Sequence, residues 1–180
     1  MNIFPSGSTT RTRISISCVA LVLFTLATSM LWAADVSPQV TLSVSKAAPR
    51  AVESLTQRAL VRDYKFAWAN VAHALESNSA EPLNGLFVGN ANTWFIEAIK
   101  SQHLAGLSSR YLNQTHKVEA VFYAPEGDVV ELQDLAEYDY ELRDGTKTIH
   151  SEHAVVRYVV LMTPGADRWV VRQIQAVQHF

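Results

Sequence analysis

Cysteine is almost absent from this sequence: the single cysteine, Cys18, lies inside an apolar run near the N-terminus. From Ala34 onward the chain has no thiol, which excludes disulfide bonds and a cysteine nucleophile in that part. Charge of one sign is also lacking, since 15 basic residues face 17 acidic residues and the formal net charge is −2. Without a basic excess to neutralise phosphates, we expect no nucleic-acid partner.

The common catalytic and cofactor motifs are missing as well. The sequence contains no G-x-G-x-x-G, P-loop, G-x-S-x-G or H-E-x-x-H pattern, which argues against dinucleotide binding, phosphate-loop binding and the matching hydrolase classes. The nearest metal-like pattern is His150-Ser151-Glu152-His153. In a strand, residues three apart point to opposite faces, so these histidines would share an ion only across a bulge. We therefore predict no metal and no cofactor, and interpret the pattern as the exposed start of a strand.

The longest apolar run covers residues 14–33 and follows Arg11 and Arg13. About 20 helical residues can span a hydrocarbon core of about 30 Å. Arg11 and Arg13 precede the run and no Lys or Arg follows until Lys46, a distribution that places the C-terminal part outside the cytoplasm. We predict a cytoplasmic n-region at 1–13 and a signal anchor at 14–34. The chain is then a single-pass membrane protein with a periplasmic C-terminal domain; the alternative is secretion after cleavage of the signal.

Two segments follow the apolar run. Residues 35–50 are small and polar and contain two prolines, which predicts a tether with one short strand around residues 40–44. The domain itself is predicted at 51–180. Its first element is a long amphipathic helix over residues 51–77, because apolar side chains recur there at steps of three and four. A short helical turn and another helix from about residue 90 come next, and the latter places Phe95, Ile96, Ile99, His103 and Leu107 on one side.

After Asn113 the pattern changes to a period of two, which is typical of strands. Four β-rich stretches are predicted at residues 117–124, 129–142, 148–163 and 168–177, separated by the turns APEGD, RDGTK and TPGAD. Short turns that carry glycine favour consecutive antiparallel hairpins. Helices followed by strands predict an α+β fold, with the helices packed on one face of a curved four-stranded antiparallel meander.

Two parts of the sequence carry a resemblance to a known family: the Tyr64-to-Trp68 end of the long helix, and the closing segment SEHAVVRYVVLMTPGADRWVVRQIQAV. With the order of elements over residues 51–180, they resemble the nuclear transport factor 2-like superfamily. The resemblance implies a cone with a cavity between helices and sheet, and homodimerisation through the open sheet face. It is shared by ketosteroid isomerase-like enzymes, small-molecule binders, and the membrane-anchored scaffold subunits of bacterial envelope machines such as type IV secretion systems.

Two polar residues are the candidates for catalysis. Asp134 alone interrupts the apolar even positions of GDVVELQDLAEYDYEL, so a regular strand would bury its carboxylate and make it a general-base candidate. Leu135 on the odd side favours instead a β-bulge at residues 133–135 that turns Asp134 outward. His103 follows Ile99 on the apolar side of its helix and is either a base facing the cavity or an edge-of-core histidine.

The candidates for lining a pocket are aromatic: Tyr64 and Trp68 one helical turn apart, and Tyr138 and Tyr140 on the strand of Asp134. Aromatic residues at such spacing are also ordinary core residues. The odd positions of that strand form an acidic face that serves either as an interaction surface or as a solvated side. Its members are Glu131, Glu137, Asp139, Glu141 and Arg143.

Two functions of different kinds remain. The favoured one is a membrane-tethered extracytoplasmic interaction or assembly domain without catalytic activity, held to the membrane through residues 14–33 and bound to a protein partner or to a second copy. The alternative is a cavity-bearing binder or an enzyme of the ketosteroid isomerase or polyketide cyclase type. An anchor contributes nothing to soluble isomerase chemistry, whereas it holds an assembly domain beside its partners.

Overall fold

Residues 37–180 are the part of the chain that the structure, a computed structural model, describes. The predicted n-region and the apolar run at 14–33 lie outside the described residues. Between Ser37 and Phe180, no helix is both long enough and apolar enough to cross a membrane.

The described helices are α1 (Ser54–Ser77) and α2 (Gly89–Leu104), joined through a 3-10 turn at Glu81–Leu83. The predicted long helix is confirmed, although it begins three residues later than expected. It ends where Asn78 adopts a left-handed conformation with φ 53° and its amide donates to the Ala74 carbonyl. The predicted apolar stripe is confirmed too, and its buried members are Leu60, Tyr64, Ala67, Trp68, Val71 and Leu75.

One mixed sheet contains all the described strands: β1 (Gln39–Ser43), β2 (Ala48–Pro49), β3 (Leu107–Tyr123), β4 (Val130–Asp144), β5 (Lys147–Pro164) and β6 (Trp169–Val177). Strands β3 to β6 pair consecutively and antiparallel, as the glycine-containing turns predicted. Strands β1 and β2 pair with β3 in parallel. The order across the sheet is β1-β3-β4-β5-β6, with β2 beside β3.

The segment predicted as a tether therefore belongs to the sheet. Val40 and Leu42 of β1 are partly buried and pack against the hydrophobic core, so a boundary at residue 51 removes two strands from the domain. Three polar residues around two apolar ones in β1 gave little signal, because an edge strand needs only a few inward side chains. The predicted short strand around residues 40–44 is confirmed, although it begins and ends one residue earlier, at Gln39 and Ser43.

Strand β3 also differs from the prediction, because it starts ten residues earlier, at Leu107. Its register with β4 shifts between Leu112 and Thr115, where Asn113 has φ 53°. This irregularity breaks the alternation of inward and outward side chains and hides the first half of the strand from a period-two pattern.

Both helices pack on the same face of the sheet, hereafter the inner face; the opposite face is the outer face. Side chains of β3, β4 and β5 at alternate positions form the core with α1 and α2, and they include Val118, Leu132, Ala136, Tyr158 and Val160. The α+β class and the packing of helices on one face of the sheet agree with the sequence analysis.

Candidate functional site

Asp134 lies on the inner face, in the first half of β4. The register on both sides is continuous there, with Asp134 opposite Val118 of β3 and Tyr158 of β5. Its side chain is fully buried, with 0% exposure. The β-bulge predicted at residues 133–135 is therefore wrong, because Leu135 occupies a regular outward position that is only half-buried.

A single carboxylate oxygen of Asp134 accepts two hydrogen bonds. The Tyr64 hydroxyl on α1 donates to Oδ2 at 2.7 Å, and Nδ1 of His116 on β3 lies 2.8 Å from the same oxygen. His116 is also buried, at 1% exposure. An ionised carboxylate can accept both bonds when Nδ1 carries its proton, so the three side chains form one buried polar cluster.

Aromatic rings enclose this cluster. The indole of Trp68 lies over the His116 imidazole with ring centroids 4.7 Å apart and planes 33° apart. The Tyr64 ring meets the imidazole edge-on at 5.7 Å, and the Tyr158 ring lies 5.4 Å from Trp68. One turn of α1 separates Tyr64 from Trp68, so the helical period itself places a donor and a cover over the same part of the sheet.

Burial has a clear electrostatic effect on the tyrosines of the site. Desolvation, followed by the negative charge of Asp134, raises the pKa of Tyr64 well above its ordinary value. Desolvation also raises the pKa of Tyr158, and the neighbouring Tyr138 contributes to that increase. Both hydroxyls are therefore protonated at neutral pH, which is the form that Tyr64 needs in order to donate to Asp134.

Two polar atoms of the cluster have no hydrogen-bond partner within residues 37–180: His116 Nε2 and Asp134 Oδ1. A histidine backed by a carboxylate is a pair that can move a proton. Here, however, both side chains are sealed by Tyr64 and Trp68. Both are at most 1% exposed, so the cluster has the side chains of an acid–base pair but they are closed off from solvent in this structure.

The other catalytic candidate, His103, does not join this cluster. It is exposed on the last turn of α2, whose buried positions are Ala91, Phe95 and Ile99. The prediction of a base or an edge-of-core histidine at this place is wrong, because the inward position in the next turn is Gln102. The amide of Gln102 donates to the Leu75 carbonyl at 2.5 Å and so ties the two helices together.

The aromatic candidates on β4 lie on the inner face. Tyr138 is buried, and its hydroxyl lies 3.4 Å from that of Tyr158. Tyr140 is half-buried, and its hydroxyl lies 3.1 Å from the Ser109 hydroxyl. With Tyr111 they form a cluster of rings whose centroids are 4.9 to 5.5 Å apart. These residues continue the core towards the far end of the sheet.

The strand geometry places the two histidines of the metal-like pattern, His150 and His153, on opposite faces of the sheet. His150 Nε2 lies 3.4 Å from Glu152, whereas His153 Nδ1 lies 2.9 Å from Asp139 on the opposite face. Among residues 37–180, no three His, Cys, Asp or Glu side chains lie close enough to hold one metal ion.

His116 is the residue that sequence reasoning missed. The first predicted strand began at residue 117, which left His116 just outside the alternation. Extending that strand by one residue gives His116, Val118 and Ala120 as inward positions, with His116 as the single polar member. This is the same signal that singled out Asp134, although only the register between β3 and β4 shows that the two side chains meet.

Comparisons with known proteins identify a fold and no family. Neither the models of known protein families nor the curated proteins give a match to this chain. Among solved structures, the fold is similar to that of the intermembrane space region of chloroplast protein ARC6, with a TM-score of 0.55 and 13% sequence identity. The similarity covers 72% of this chain and 98% of that one. At this identity, the likeness concerns the fold alone.

Proposed function

We propose that this chain is a membrane-tethered, extracytoplasmic assembly domain without catalytic activity, which self-associates through the outer face of its sheet. The proposal places the domain in the nuclear transport factor 2-like superfamily, and in the periplasm of a bacterium. The apolar run at 14–33 and the arginines that precede it support the tether and its direction. The order of helices and strands supports the superfamily.

The observation that carries the proposal is an apolar area on the outer face, hereafter the outer patch: Leu135, Val155, Val159, Leu161 and Val177. Val155 is 52% exposed, and the other four are half-buried. They lie on three adjacent strands, and neither α1 nor α2 covers this face. Apolar side chains grouped on an open sheet face are typical of a surface that binds another protein.

The charges around the outer patch favour a second copy of the chain as its occupant. Lys117 pairs with Glu137 at 3.3 Å, and Lys46 pairs with Glu119 at 2.7 Å. Lys117 on β3 thus partly neutralises the acidic face predicted on β4. Lys46, between β1 and β2, does the same for Glu119 on β3. Two such faces can approach each other without a large repulsion between like charges, as a two-fold interface requires.

The inner face supports the absence of catalysis. Its only buried acid–base pair is enclosed by Trp68 and Tyr64 within the described residues, and Tyr64 already uses the oxygen of Asp134 that also binds His116. A general base must come within hydrogen-bond reach of the substrate proton. In this arrangement, the carboxylate and the imidazole stabilise the packing of α1 on the sheet instead.

The test is the oligomeric state of the full chain in detergent, measured by sedimentation. We expect a dimer for the unmodified chain and a monomer for Val159→Asp, which places a charge in the outer patch. The matched control is Thr146→Asp in the exposed turn between β4 and β5, which should remain a dimer. A monomeric unmodified chain, or a Val159→Asp variant that still dimerises, would contradict the proposed interface.

Export is tested separately with alkaline phosphatase fused after Phe180, which should be active in the envelope.

One observation favours the alternative function of a small-molecule binder or a ketosteroid isomerase-like enzyme. His116 Nε2 and Asp134 Oδ1 are unpaired polar atoms in the same buried cluster, and opening of Trp68 would make them available to a ligand. The test is conversion of a β,γ-unsaturated ketone to its conjugated isomer, followed by ultraviolet absorbance. The assembly function predicts no conversion above that of Asp134→Asn, whereas activity that disappears in Asp134→Asn would favour the enzyme.

A further inference from the structure

Helix α1 has a second face, turned away from the sheet, with an unusual composition. Leu55, Arg58, Arg62 and Lys65 follow one another at steps of three and four along it. Phe66 lies four residues after Arg62 on the same face, and all five are exposed. Leu55 is 72% exposed and Phe66 is 47% exposed. Three cationic side chains thus lie between two apolar ones on a helix face that no other described helix or strand covers. We call these five residues the basic–apolar face.

This face borders a groove of about 490 Å³ at one end of the sheet. The turn between β5 and β6 forms the other wall, where the Arg168 guanidinium lies 5.4 Å from the centroid of the Phe66 ring. Asp63 fixes the two walls to each other, because its buried carboxylate accepts a hydrogen bond at 2.8 Å from the Trp169 amide. The groove is therefore held by the fold and does not depend on a loose loop.

The charge balance at the groove is opposite to that of the whole chain. Arg62 pairs with Asp63, and Arg168 pairs with Asp167. Arg58 and Lys65 make no ion pair with the described residues. The groove lining alone has three cations, Arg62, Lys65 and Arg168, against two carboxylates, a local charge of +1. With Arg58 of the basic–apolar face the local charge is +2, in a chain whose formal net charge is −2. The occupant of this surface should accordingly be anionic.

The distance along the chain indicates which anionic surface is close. Ser37 lines the groove, and the apolar run ends four residues before it, at Ala33. Four residues span at most about 14 Å. If the run is anchored in a bilayer, the chain length keeps Ser37 within about 14 Å of Ala33, so a membrane surface is within reach of this edge of the groove.

We propose that the basic–apolar face and Arg168 rest on a bilayer surface that contains anionic phospholipids. Arg58, Lys65 and the arginines of the groove donate to headgroup phosphates, and Leu55 and Phe66 enter the interface. This combination of cationic and apolar side chains is what interfacial helices use. The inference rests on the proposed tether and adds an orientation to it: the groove end of the sheet faces the membrane, while the outer patch, on the opposite face of the sheet from α1, stays available to a second copy.

The experiment places a fluorescent probe on the full chain. Cys18→Ser removes the native thiol, and Ala69→Cys introduces one in the groove; Thr146→Cys in the turn between β4 and β5, at the opposite end of β5, provides the reference position. Chains are reconstituted in vesicles with a headgroup-attached quencher and labelled from outside with an impermeant dye. The vesicles consist of phosphatidylcholine alone or mixed with phosphatidylglycerol. We expect quenching at position 69 that is stronger with phosphatidylglycerol, and little quenching at position 146.

Charge reversal gives the second measurement. A cation near an anionic membrane contributes about a fivefold factor to binding, so Arg58→Glu with Lys65→Glu should lower the ratio of docked to released domains at least about 25-fold. The matched control, Lys100→Glu with Lys147→Glu, makes the same change of net charge at exposed positions elsewhere and should leave the quenching at position 69 unchanged. Higher salt should weaken the contact, because exposed charges are screened.

Several results would overturn the inference: equal quenching at positions 69 and 146, equal quenching with both lipids, or no effect of the Arg58 and Lys65 variants. Inorganic phosphate should release the probe no more than chloride of the same ionic strength; a specific release would replace the lipid surface with a discrete phosphate site. Extraction at alkaline pH separates this inference from the proposed tether. A chain that leaves the vesicles contradicts the tether, whereas a retained chain without quenching at position 69 contradicts only the docking.

Discussion

The two faces of strand β4 differ in what their side chains contact. On the inner face, Asp134 is fully buried and held by Tyr64 and His116. One residue further, Leu135 lies half-buried on the outer face, with no helix over it. A polar side chain is thus in the core and an apolar one at the surface. In this sheet, hydrophobicity alone therefore does not identify the inner face. A polar side chain lies there because hydrogen-bond partners from α1 and β3 meet it.

The largest expected effect is that of Asp134→Ala. The substitution leaves the Tyr64 hydroxyl and the His116 ring nitrogen buried without their acceptor, and it should lower the free energy of unfolding by about 3–5 kcal/mol. Leu135→Ala, at the adjacent position on the outer face, should cost about 1 kcal/mol or less. Urea titration followed by circular dichroism measures both. Equal costs for the two variants would remove the distinction between the faces.

The next effect concerns how far the inner face extends. A chain that starts at residue 51 loses Val40 and Leu42, which pack on the core from β1, and it leaves the edge of β3 unpaired. Loss of the two partly buried side chains should cost about 3 kcal/mol relative to a chain that starts at Ser37. Both chains lack the apolar run, so their urea midpoints can be compared directly. Identical midpoints would restore the predicted boundary at residue 51.

A smaller effect depends on pH. The pKa of Tyr64 and that of Tyr158 are raised in the folded state, whereas a tyrosine in the unfolded chain titrates near 10. Their contribution to stability is complete below pH 10 and decreases above it, by up to about 1.4 kcal/mol per pH unit for each tyrosine, until the folded groups ionise. Absorbance at the tyrosinate band should show the two groups ionising only as the chain unfolds. Tyr64→Phe should reduce the slope of stability against pH.

The smallest effect separates two neighbouring valines on β5. Val155→Thr places a hydroxyl on the outer face and should change the free energy of unfolding by no more than about 0.5 kcal/mol. Val156→Thr places the same group on the inner face, where it should cost about 1–3 kcal/mol unless it finds a partner. Urea titration at a concentration that keeps the chain monomeric makes the comparison. The reverse order would show that the faces of β5 had been assigned wrongly.

Sequence periodicity was sufficient for most elements. The steps of three and four that gave Leu60, Tyr64, Trp68 and Val71 one side predicted α1 and its buried face, because a regular helix repeats every 3.6 residues whatever it packs against. The glycine-containing turns predicted three consecutive hairpins for a similar reason: the backbone conformation at a tight turn depends on the residues in the turn itself. The α+β class followed from the order of these elements.

The site was predicted less completely. Asp134 was identified from the sequence as the polar residue in an apolar series, but the direction of its side chain was predicted wrongly. The sequence of one strand does not decide whether a side chain is buried or exposed. His103 was placed on the wrong side of its helix by one position, since Gln102 takes the inward place and bonds Leu75. These errors concern single residues at which two local patterns compete.

The amino-acid sequence by itself determined the helices, the turns and the alternation along β4, because these depend on neighbours within a few positions. Only the tertiary structure decided that His116 and Tyr64 meet Asp134. Tyr64 is 70 residues from Asp134 along the chain and His116 is 18 residues from it, so their meeting depends on strand register and on the angle at which α1 crosses the sheet. The free-energy cost of burying the Asp134 carboxylate is offset by hydrogen-bond partners on two other elements. No local sequence pattern predicts contacts between residues so far apart in the chain.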